Sequence, residues 1–406
     1  MSPDDAGSTA VVFLCGDASN GNITMCESSL FSKLIHEIAG DGDNLIALCR
    51  DGSYDLNTGE PTLGNPFRAS HMCAGKDSHY ILSSSDSVIY SWGKGSYGEL
   101  GLGFRRTNVI EPLPIQHKAS FSSISAGESH GAALDLIGNA YSWGQNFDRQ
   151  LGLYRKEHTE FYNPNCVVEE VMFVPSLLPF SLKCPIFKIS CGSKFTVAIG
   201  KNGDLWTWGA GECGQLGTGR CTRREVPTKV NVYTGEESNN PGNNEGKTAK
   251  IIDIACGASH CLAVGDDGNV YSWGLNKRGQ LGLSDTDTRQ TPTIIQSFNL
   301  QKVYANGNSS AGINVSGELY TWGSGSKFRL MLMKETQNSK NGQNGKSGEN
   351  GNGNGNGNGE TEGDDSHRCV PVYVESLYGN IVHSFAFSRV ASAALVISRL
   401  YEVNTN

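Results

Sequence analysis

The chain has 406 residues, with 33 Lys and Arg against 41 Asp and Glu, and its formal net charge is −8 at pH 7. This acidic balance argues against a protein that acts mainly by binding nucleic acid through a basic surface. The sequence shows no secretory signal and no apolar run long enough to cross a membrane, so we expect an intracellular protein without membrane contact.

The N-terminal part of the chain predicts strands that depart from the later pattern. The apolar run Val11–Gly16 has the character of a single outer strand, with Cys15 at the position that later units give to tryptophan. The segment Glu37–Asn57 contains a hairpin pattern, but it ends in Tyr54-Asp55 where the later units have Trp-Gly. We therefore expect an incomplete unit followed by a degenerate one.

A fixed motif then recurs five times. Each copy is a short apolar run ending in tryptophan and glycine, and a leucine follows the tryptophan by eight residues. The tryptophans are Trp92, Trp143, Trp208, Trp273 and Trp322. A landmark glycine precedes each tryptophan by 15 to 17 residues, and these glycines are Gly75, Gly127, Gly192, Gly257 and Gly307. A period of about 50 residues with constant internal spacing indicates a repeat architecture.

The pattern within each unit predicts an all-β fold. Small apolar and polar residues alternate on both sides of a turn, and no stretch shows a sustained helical period. The C-terminal run Ser384–Ser398 supplies the inner strands that the N-terminal strand lacks. We therefore predict one domain over 11–398, a seven-bladed β-propeller of four-stranded blades whose ring is closed by N- and C-terminal strands in one blade.

Three insertions interrupt the repeats. The first, 154–183, carries apolar groups and is predicted to pack on the propeller. The second, 234–248, is a polar loop. The third, 336–366, contains a Gly/Asn-rich tract that lacks the apolar residues needed to offset its ordering entropy, so we predict a disordered loop.

Two segments resemble phosphate-binding loops only superficially. The G-x-G-x-x-G pattern at Gly209 has a twin at Gly93, and neither is followed by a predicted helix. The segment 241–248 has Pro241 where a phosphate loop needs its first glycine. No catalytic triad, metal-ligand cluster or carboxylate pair recurs at a spacing that would indicate a catalytic or metal-binding site. We therefore predict no cofactor, no metal and no small-molecule substrate.

The 12 cysteines include no C-x-x-C pair, which argues against a zinc site or a thiol redox motif. Three of them lie at or near one repeat position, beside the landmark glycine, where a small core residue fits. These are Cys73, Cys191 and Cys256. We interpret them as reduced core residues.

Charge is distributed unevenly along the repeats. In the 16 residues after each tryptophan, Lys and Arg outnumber Asp and Glu in every unit. Because equivalent segments of a ring share one side, we predict a basic rim that attracts an acidic protein surface or a phosphate backbone. The alternative is ordinary solvated loop charge. The predicted rim residues are Lys94, Arg155, Lys156, Arg223, Arg224, Lys277, Arg278, Lys327 and Arg329.

The Trp-Gly-x(6)-Leu-Gly core with its upstream Gly-x-x-His landmark resembles the repeat of the regulator of chromosome condensation family. This resemblance covers about residues 11–398 and implies a seven-bladed propeller closed by both chain ends. Members of the family include a guanine nucleotide exchange factor, ubiquitin-ligase and scaffold propellers, and a plant ultraviolet receptor. In layout this chain is similar to the exchange factors, which act on the Ran GTPase.

The resemblance implies an exchange surface. It would include an acid before a Trp-Gly tryptophan, the landmark turn of the next unit, the histidine of a later landmark and a wedge-like loop at Leu102–Asn108. The corresponding residues are Asp86, Glu128, Ser129, His130, His260, Arg105 and Arg106. The histidines have a second interpretation, because His79, His130 and His260 lie at or near equivalent positions and could simply bond a neighbouring blade.

Two functions therefore remain open from the sequence. One is nucleotide exchange on a Ran-type small GTPase, by a monomer and without covalent catalysis. For this function we expect the protein in the nucleus rather than in the cytoplasm. The other is a non-catalytic scaffold that binds an acidic protein surface, a nucleosome or chromatin.

Overall fold

The computed structural model describes residues 8–16, 24–25, 35–41, 44–49, 52–55, 68–153, 170–235, 246–296, 298–325, 330, 368–377, 381–387 and 391–399. These residues form short β-strands and two 3₁₀ helices, Pro179–Leu182 and Glu375–Leu377. Within them, no helix is long and apolar enough to cross a membrane.

The strands belong to seven sheets, which we call blades 1 to 7. Strands β1 (Ser8–Gly16) and β2 (Thr24–Met25) belong to blade 7. Blade 1 contains β3 (Ile35–Asp41), β4 (Asn44–Cys49) and β5 (Gly52–Asp55). Blade 2 contains β6 (Ala69–Ala74), β7 (Ser78–Ser83), β8 (Ile89–Gly95) and β9 (Arg106–Pro114). Blade 3 contains β10 (Phe121–Ala126), β11 (His130–Asp135), β12 (Ala140–Gln145) and β13 (Val171–Leu177).

The remaining blades follow the same order. Blade 4 contains β14 (Ile186–Cys191), β15 (Phe195–Gly200), β16 (Leu205–Gly209) and β17 (Arg224–Val230). Blade 5 contains β18 (Ile251–Cys256), β19 (His260–Gly265), β20 (Val270–Gly274) and β21 (Arg289–Ile295). Blade 6 contains β22 (Leu300–Asn306), β23 (Ser309–Asn314), β24 (Leu319–Gly323) and β25 (Arg368–Tyr373). Blade 7 adds β26 (Val382–Phe387) and β27 (Ala391–Arg399).

The blades form a closed ring. The first strand of each blade contacts the first strand of the next, from β3 through β6, β10, β14, β18 and β22 to β26, which in turn contacts β3. Neighbouring strands within each blade are antiparallel. This arrangement is the all-β propeller that the repeat pattern predicts, with its core between adjacent blades.

Both ends of the chain contribute to blade 7, whose strand order is β2, β1, β27, β26. Strand β1 pairs with β27 over its whole length, and Cys15 lies opposite Ser392, as Trp322 lies opposite Ser310 in blade 6. The prediction of a single outer strand at the N-terminus was wrong in one respect. The outermost strand is β2, and β1 is the third strand of its blade.

The register also corrects two boundaries. Asp55 pairs with Ile46 at the position where Ser142 pairs with Ala132, so the tryptophan position of blade 1 is residue 56, outside the described residues. Residues 171–183 are not an insertion, because they form β13 and the 3₁₀ helix whose Phe180 is buried. The predicted insertion at 336–366 lies wholly outside the described residues, as do 154–169 and 236–245 of the other two.

Each tryptophan of the motif joins two blades. The indole Nε1 of Trp208 donates a hydrogen bond to the carbonyl oxygen of Gln150 in the preceding blade, at 2.9 Å. Trp143, Trp273 and Trp322 donate in the same way to the residue seven positions after the preceding tryptophan. The glycine that follows the motif leucine in the first four copies lies against this indole, since a Cβ added to Gly152 would be 2.8 Å from Trp208 Nε1. The motif is therefore a contact between blades rather than a cofactor loop.

Every blade from 2 to 6 has a proline in its outer strand. These are Pro112, Pro175, Pro227, Pro292 and Pro371. Proline lacks a backbone N–H and discourages pairing with a further strand. The outer edges of the ring are thus protected from edge-to-edge association.

We expect Gly209→Ala to lower the free energy of unfolding by about 3 kcal/mol. Gly209 has a φ of +101°, and an added Cβ would lie 2.7 Å from both Lys194 O and Phe195 Cα. Gly219→Ala is the matched control, because Gly219 also has a positive φ of +76° but its Cβ would meet only Thr291 Cγ2 at 3.6 Å. The control should lose about 1 kcal/mol in urea denaturation. Equal losses in the two variants would contradict the steric explanation.

Candidate functional site

The ring has two rims that differ in their loops. The upper rim carries the turns between the first and second strands of each blade, together with the loops between the third and fourth strands. The lower rim carries the turns between the second and third strands and the links from one blade to the next. This division follows from the antiparallel order within each blade.

The landmark turns are hydrogen-bonded to one another along the upper rim. Lys76 N donates to Glu128 O, and Glu128 N donates to Ser193 O at 2.9 Å. Ser193 N and Ala258 N continue the series toward blade 6. A Cβ on Gly127 would lie only 2.4 Å from Gly192 O, so the landmark glycine permits this close approach of backbones. The turns therefore form a fixed inner ring on the upper rim.

The two predicted site histidines, His130 and His260, are buried in the contacts between blades. His130 is 1 % exposed, and its Nε2 lies 3.0 Å from Thr196 Oγ1 of blade 4. Thr196 in turn donates to Gln150 O, so its oxygen accepts the His130 Nε2–H. His260 is fully buried and bonds Ser310 of blade 6 in the same way, at 2.9 Å. Neither ring can touch a partner protein, so their assignment to the exchange surface was wrong.

Burial determines the protonation of these two rings. It lowers the pKa of both His130 and His260 to about 3. The Nδ1 atom of each ring has no hydrogen-bond partner among the described residues, so a second proton would be buried without an acceptor. His79 is not equivalent to them, because it pairs with Trp92 whereas His130 pairs with Gly144.

Asp86 lies on the lower rim, away from the other predicted site residues. It occupies the turn between β7 and β8, where its carboxylate accepts hydrogen bonds from Val88 N and Tyr90 Oη. Burial alone would raise its pKa, but the hydrogen bonds from Ser83, Val88 and Tyr90 outweigh it and lower the pKa. Asp267 caps the equivalent turn of blade 5 in the same way. We therefore assign Asp86 a structural role in its turn.

Two of the predicted basic rim residues lie beside acidic side chains. Lys94 Nζ lies 3.3 Å from Asp77, and Arg223 lies 3.7 Å from Glu225. The acid of the first pair comes from a landmark turn, outside the segment counted after the tryptophan. The side chains of Lys277 and Arg278 are exposed, and Arg224 is half-buried. Arg155, Lys156, Lys327, Arg329 and the side chain of Arg106 lie outside the described part of the chain.

The upper rim of blades 2 and 3 combines exposed aromatic side chains. Tyr97 and Phe147 are 42 % and 44 % exposed, and their rings meet edge to face with centroids 6.0 Å apart. Phe104, 49 % exposed, lies in the predicted wedge loop, which is tied to blade 3 by a hydrogen bond from Gly103 N to Phe173 O. Arg105 beside it is also exposed. Aromatic residues rimmed by charge are typical of protein-binding surfaces.

Charged side chains of the landmark turns border these aromatics. Lys76 Nζ lies 3.4 Å from Glu128 Oε1, and both side chains reach solvent. Ser129 is half-buried beside Glu128. We call the surface formed by these charges and aromatics the rim patch. Its members are Lys76, Asp77, Lys94, Tyr97, Phe104, Arg105, Glu128 and Phe147.

Sequence reasoning missed several members of the rim patch. Asp77 lies two residues after a landmark glycine, and this position in the turn could have identified it from the sequence as a member of the rim patch. Tyr97 and Phe147 follow their motif tryptophans by five and four residues, so both lie in the segment that the repeat places on one side of the ring. Glu99 stands where Gln150 stands in the next blade, and burial raises its pKa although backbone N–H groups donate to it.

The described residues offer no metal centre. Among them, no group of three or more His, Cys, Asp or Glu side chains is arranged to hold a metal ion. Cys73, Cys191 and Cys256 are free thiols, and the last two are buried.

Comparison with known proteins places these features in context. The model of the regulator of chromosome condensation (RCC1) repeat matches residues 86–134, 138–199, 202–264 and 267–309. The chain is 30 % identical to the ultraviolet-B receptor UVR8 of Arabidopsis thaliana over 62 % of this chain and 52 % of that protein. It is also 30 % identical to the human E3 ubiquitin-protein ligase HERC2, over 72 % of this chain but 6 % of that protein.

Solved structures agree on the fold. Prp20p of Saccharomyces cerevisiae, described together with its binding properties to Gsp1p and histones, superposes with a TM-score of 0.67 at 17 % identity, covering 98 % of this chain and 92 % of that one. Human WBSCR16 also gives 0.67 at 16 % identity, covering 96 % of this chain and 98 % of that one. The chain spans about half the length of the plant receptor and a small part of the ligase.

Proposed function

The chain belongs to the regulator of chromosome condensation (RCC1) repeat family, and from that premise we propose that it is a protein-binding propeller whose rim patch engages a small GTPase of the Ran type. The observation that carries this proposal is the edge-to-face pair of Tyr97 and Phe147, which joins two blades on the upper rim. Such rigid aromatic anchors, surrounded by charge, supply most of the affinity of many protein interfaces.

The charges of the rim patch define what a partner must present. Asp77 and Glu128 would pair with basic side chains, and Arg105 with a carboxylate. The existing ion pairs of Asp77 with Lys94 and Glu128 with Lys76 would exchange partners on binding. Because these pairs are exposed, breaking them costs little.

Nucleotide release would follow from binding alone. A GTPase that holds nucleotide at ~10 pM has about −15 kcal/mol of binding free energy, which no exposed charge could displace directly. Thermodynamic linkage requires that a propeller which prefers the nucleotide-free GTPase by some factor weakens nucleotide binding by the same factor. The rim patch needs no covalent step for this, only preference for one state of the partner.

A second function, a scaffold without exchange activity, is favoured by a separate observation. His130 and His260 are sealed between blades, and Asp86 lies on the opposite rim, so three of the residues expected at an exchange surface cannot reach a partner there. The same rim patch would then hold an acidic protein surface or chromatin. With either partner, we propose that the protein acts inside the cell, in the nucleus.

The experiment that separates the two functions is release of a fluorescent guanine nucleotide from a Ran-type GTPase with substoichiometric propeller. We expect acceleration by the unaltered protein, and we expect Tyr97→Ala or Phe147→Ala to reduce it about thirty-fold, the effect of losing about 2 kcal/mol at an aromatic hot spot. Leu136→Ala is the matched control, because Leu136 is 67 % exposed on the lower rim.

Each outcome decides between the proposals. Acceleration that survives both aromatic variants would place the site elsewhere. No acceleration, together with capture of the GTPase only after its nucleotide is stripped, would retain the partner but remove the catalytic role. If neither acceleration nor capture is observed, the scaffold function remains.

A further inference from the structure

One hairpin turn on the lower rim carries two large apolar side chains, whereas each counterpart carries at least one polar residue. The two residues at the tip of the turn between β11 and β12 are Leu136 and Ile137, and both are 67 % exposed. The equivalent pairs, which also precede a turn glycine of positive φ, are Lys201-Asn202, Asp266-Asp267 and Val315-Ser316. Turns favour residues whose side chains bond the local backbone, which leucine and isoleucine cannot do.

The turn of blade 3 is capped without these side chains. Asp135 Oδ1 accepts hydrogen bonds from the backbone N–H groups of residues 137 to 139, at 2.9 to 3.0 Å. In blade 5 the cap comes from the second residue of the tip, Asp267, whose Oδ1 accepts from Asn269 N. Because Asp135 caps the turn from outside its tip, Leu136 and Ile137 have no part in the cap.

Two more exposed apolar side chains lie at the same junction of blades 3 and 4. Leu182 and Phe187 are both 61 % exposed. The carbonyl oxygen of the turn glycine accepts a hydrogen bond from Ile186 N at 2.8 Å, so Phe187 directly follows a backbone contact with the turn. Ser181 Oγ, one residue before Leu182, accepts from Ala140 N at the base of the turn, at 3.0 Å. We call these four side chains the lower patch. Its members are Leu136, Ile137, Leu182 and Phe187.

Phe187 is also unusual for its position in the repeat. It is the bulge residue near the start of the inner strand of blade 4. In five other blades this residue is polar, and these residues are His36, Ser70, Ser122, Gln301 and His383. Blade 5 has Ile252 there, 48 % exposed, and the residues that follow Phe187 and Ile252, Lys188 and Asp253, form an ion pair. The apolar surface therefore continues from blade 3 toward blade 5.

Positive charge borders the lower patch. Lys201 Nζ donates to Ile137 O at 2.9 Å, and because a carbonyl oxygen carries no formal charge, this bond leaves the lysine positive. At the same turn of blade 4, Asp204 lies 2.7 Å from Lys229 Nζ and 2.9 Å from Lys250 Nζ. Both amines are about half exposed, whereas the carboxylate between them is mostly buried. Solvent therefore meets an excess of positive charge at this turn.

The two properties together define what would cover the surface. Single exposed apolar residues are ordinary, but a group of them bordered by charge marks a protein-binding surface. Complementary charge across an interface selects the partner and its orientation. The complement of the lower patch and its lysines is an apolar segment with carboxylates beside it.

We propose that the lower patch is a second protein-binding surface, which holds a segment of a partner that presents apolar side chains flanked by carboxylates. The apolar side chains of the segment would cover Leu136, Ile137 and Phe187, and its carboxylates would pair with Lys201 and with the two lysines around Asp204. This surface lies on the rim opposite the rim patch, so the inference goes beyond the proposed contact with a GTPase and does not depend on it.

The test measures binding of a short fluorescent peptide of repeated Leu-Glu-Glu-Leu units, followed by anisotropy at physiological ionic strength. One control peptide replaces the leucines by alanine, and the other replaces the glutamates by lysine. We expect the alanine peptide to bind at least about ten-fold more weakly, because it cannot cover the apolar side chains. We expect binding of the lysine peptide to be unaffected by substitutions in the lower patch.

Two variants give the lower patch residues that other blades carry at the same positions. These are Ile137→Asn, as in blade 4, and Phe187→Gln, as in blade 6. We expect each to weaken binding of the Leu-Glu peptide about ten-fold. Val315→Ser is the matched control, because Val315 is 66 % exposed in the equivalent turn of blade 6, outside the lower patch. This control should leave binding within about two-fold.

Three results would overturn the proposal. The first is no binding of the Leu-Glu peptide by the unaltered protein, and the second is equal weakening by Val315→Ser. The third is self-association that Ile137→Asn abolishes, measured by analytical ultracentrifugation, because the occupant would then be a second copy of the chain. None of these results bears on nucleotide release, which tests the rim patch on the opposite rim.

Discussion

Trp208→Ala should lower the free energy of unfolding by about 4 kcal/mol, because it removes the largest kind of side chain from a site with no exposure to solvent. The indole fills the space between blades 3 and 4, beside Gly152 and against Phe180, whose ring centroid is 5.6 Å away. Its loss also leaves Gln150 O without the Nε1 donor. Urea denaturation followed by circular dichroism measures the change.

Two further variants divide this effect into its parts. Trp208→Phe keeps most of the buried area but removes the N–H donor, so we expect a loss of about 1 to 2 kcal/mol. Trp206→Ala is the control, since Trp206 is only half-buried and lies outside the repeat motif. Trp206 also packs on Phe180, so if Trp206→Ala cost as much as Trp208→Ala, neither complete burial nor the Nε1 hydrogen bond would be the source of the difference.

Acid should destabilise the ring before it affects most carboxylates, with a loss of about 4 kcal/mol between pH 7 and pH 5. The pKa values of His130 and His260 are about 3 in the folded protein, against an ordinary 6.5. Below pH 6.5 the unfolded chain therefore binds protons that the folded chain cannot. The stability that these depressed values confer is present above pH 6.5, and it falls as the pH drops from 6.5 toward 3.

The double variant His130→Gln and His260→Gln tests the assignment. Glutamine can donate to the same Thr196 and Ser310 oxygens but does not titrate, so the variant should lose most of the dependence on pH in this range. Burial also lowers the pKa of the less buried His117 and His383, so we expect these two rings to contribute to the remaining dependence. An unchanged slope in the double variant would show that the two buried rings are not responsible.

Much of the fold could be predicted because its signals lie close together in the chain. The Trp-Gly pairs, the leucines and the landmark glycines have constant spacing, and each belongs to a hairpin that forms from neighbouring residues. Blade 7 was also predictable, since Ser384–Ser398 and Val11–Gly16 each lack the strands that the other supplies. The prediction failed locally where spacing alone was ambiguous, at the tryptophan position of blade 1 and at residues 171–183.

The functional site was predicted less well, because exposure and proximity depend on the neighbouring blade. His130 has the sequence context of a rim residue, but a hydroxyl 66 positions along the chain binds it and the next blade covers it. Asp77 neutralises Lys94 across the hairpins of blade 2. Tyr97 and Phe147 meet across two blades.

The sequence by itself therefore determined the repeat, its period and the all-β propeller, because these depend on residue spacing within each hairpin. Only the tertiary structure decided which side chains the rim patch contains. The antiparallel order of the strands sends Asp86 to one rim and Glu128 to the other, and the closed ring buries His130 and His260 while leaving Tyr97, Phe104 and Phe147 in solvent.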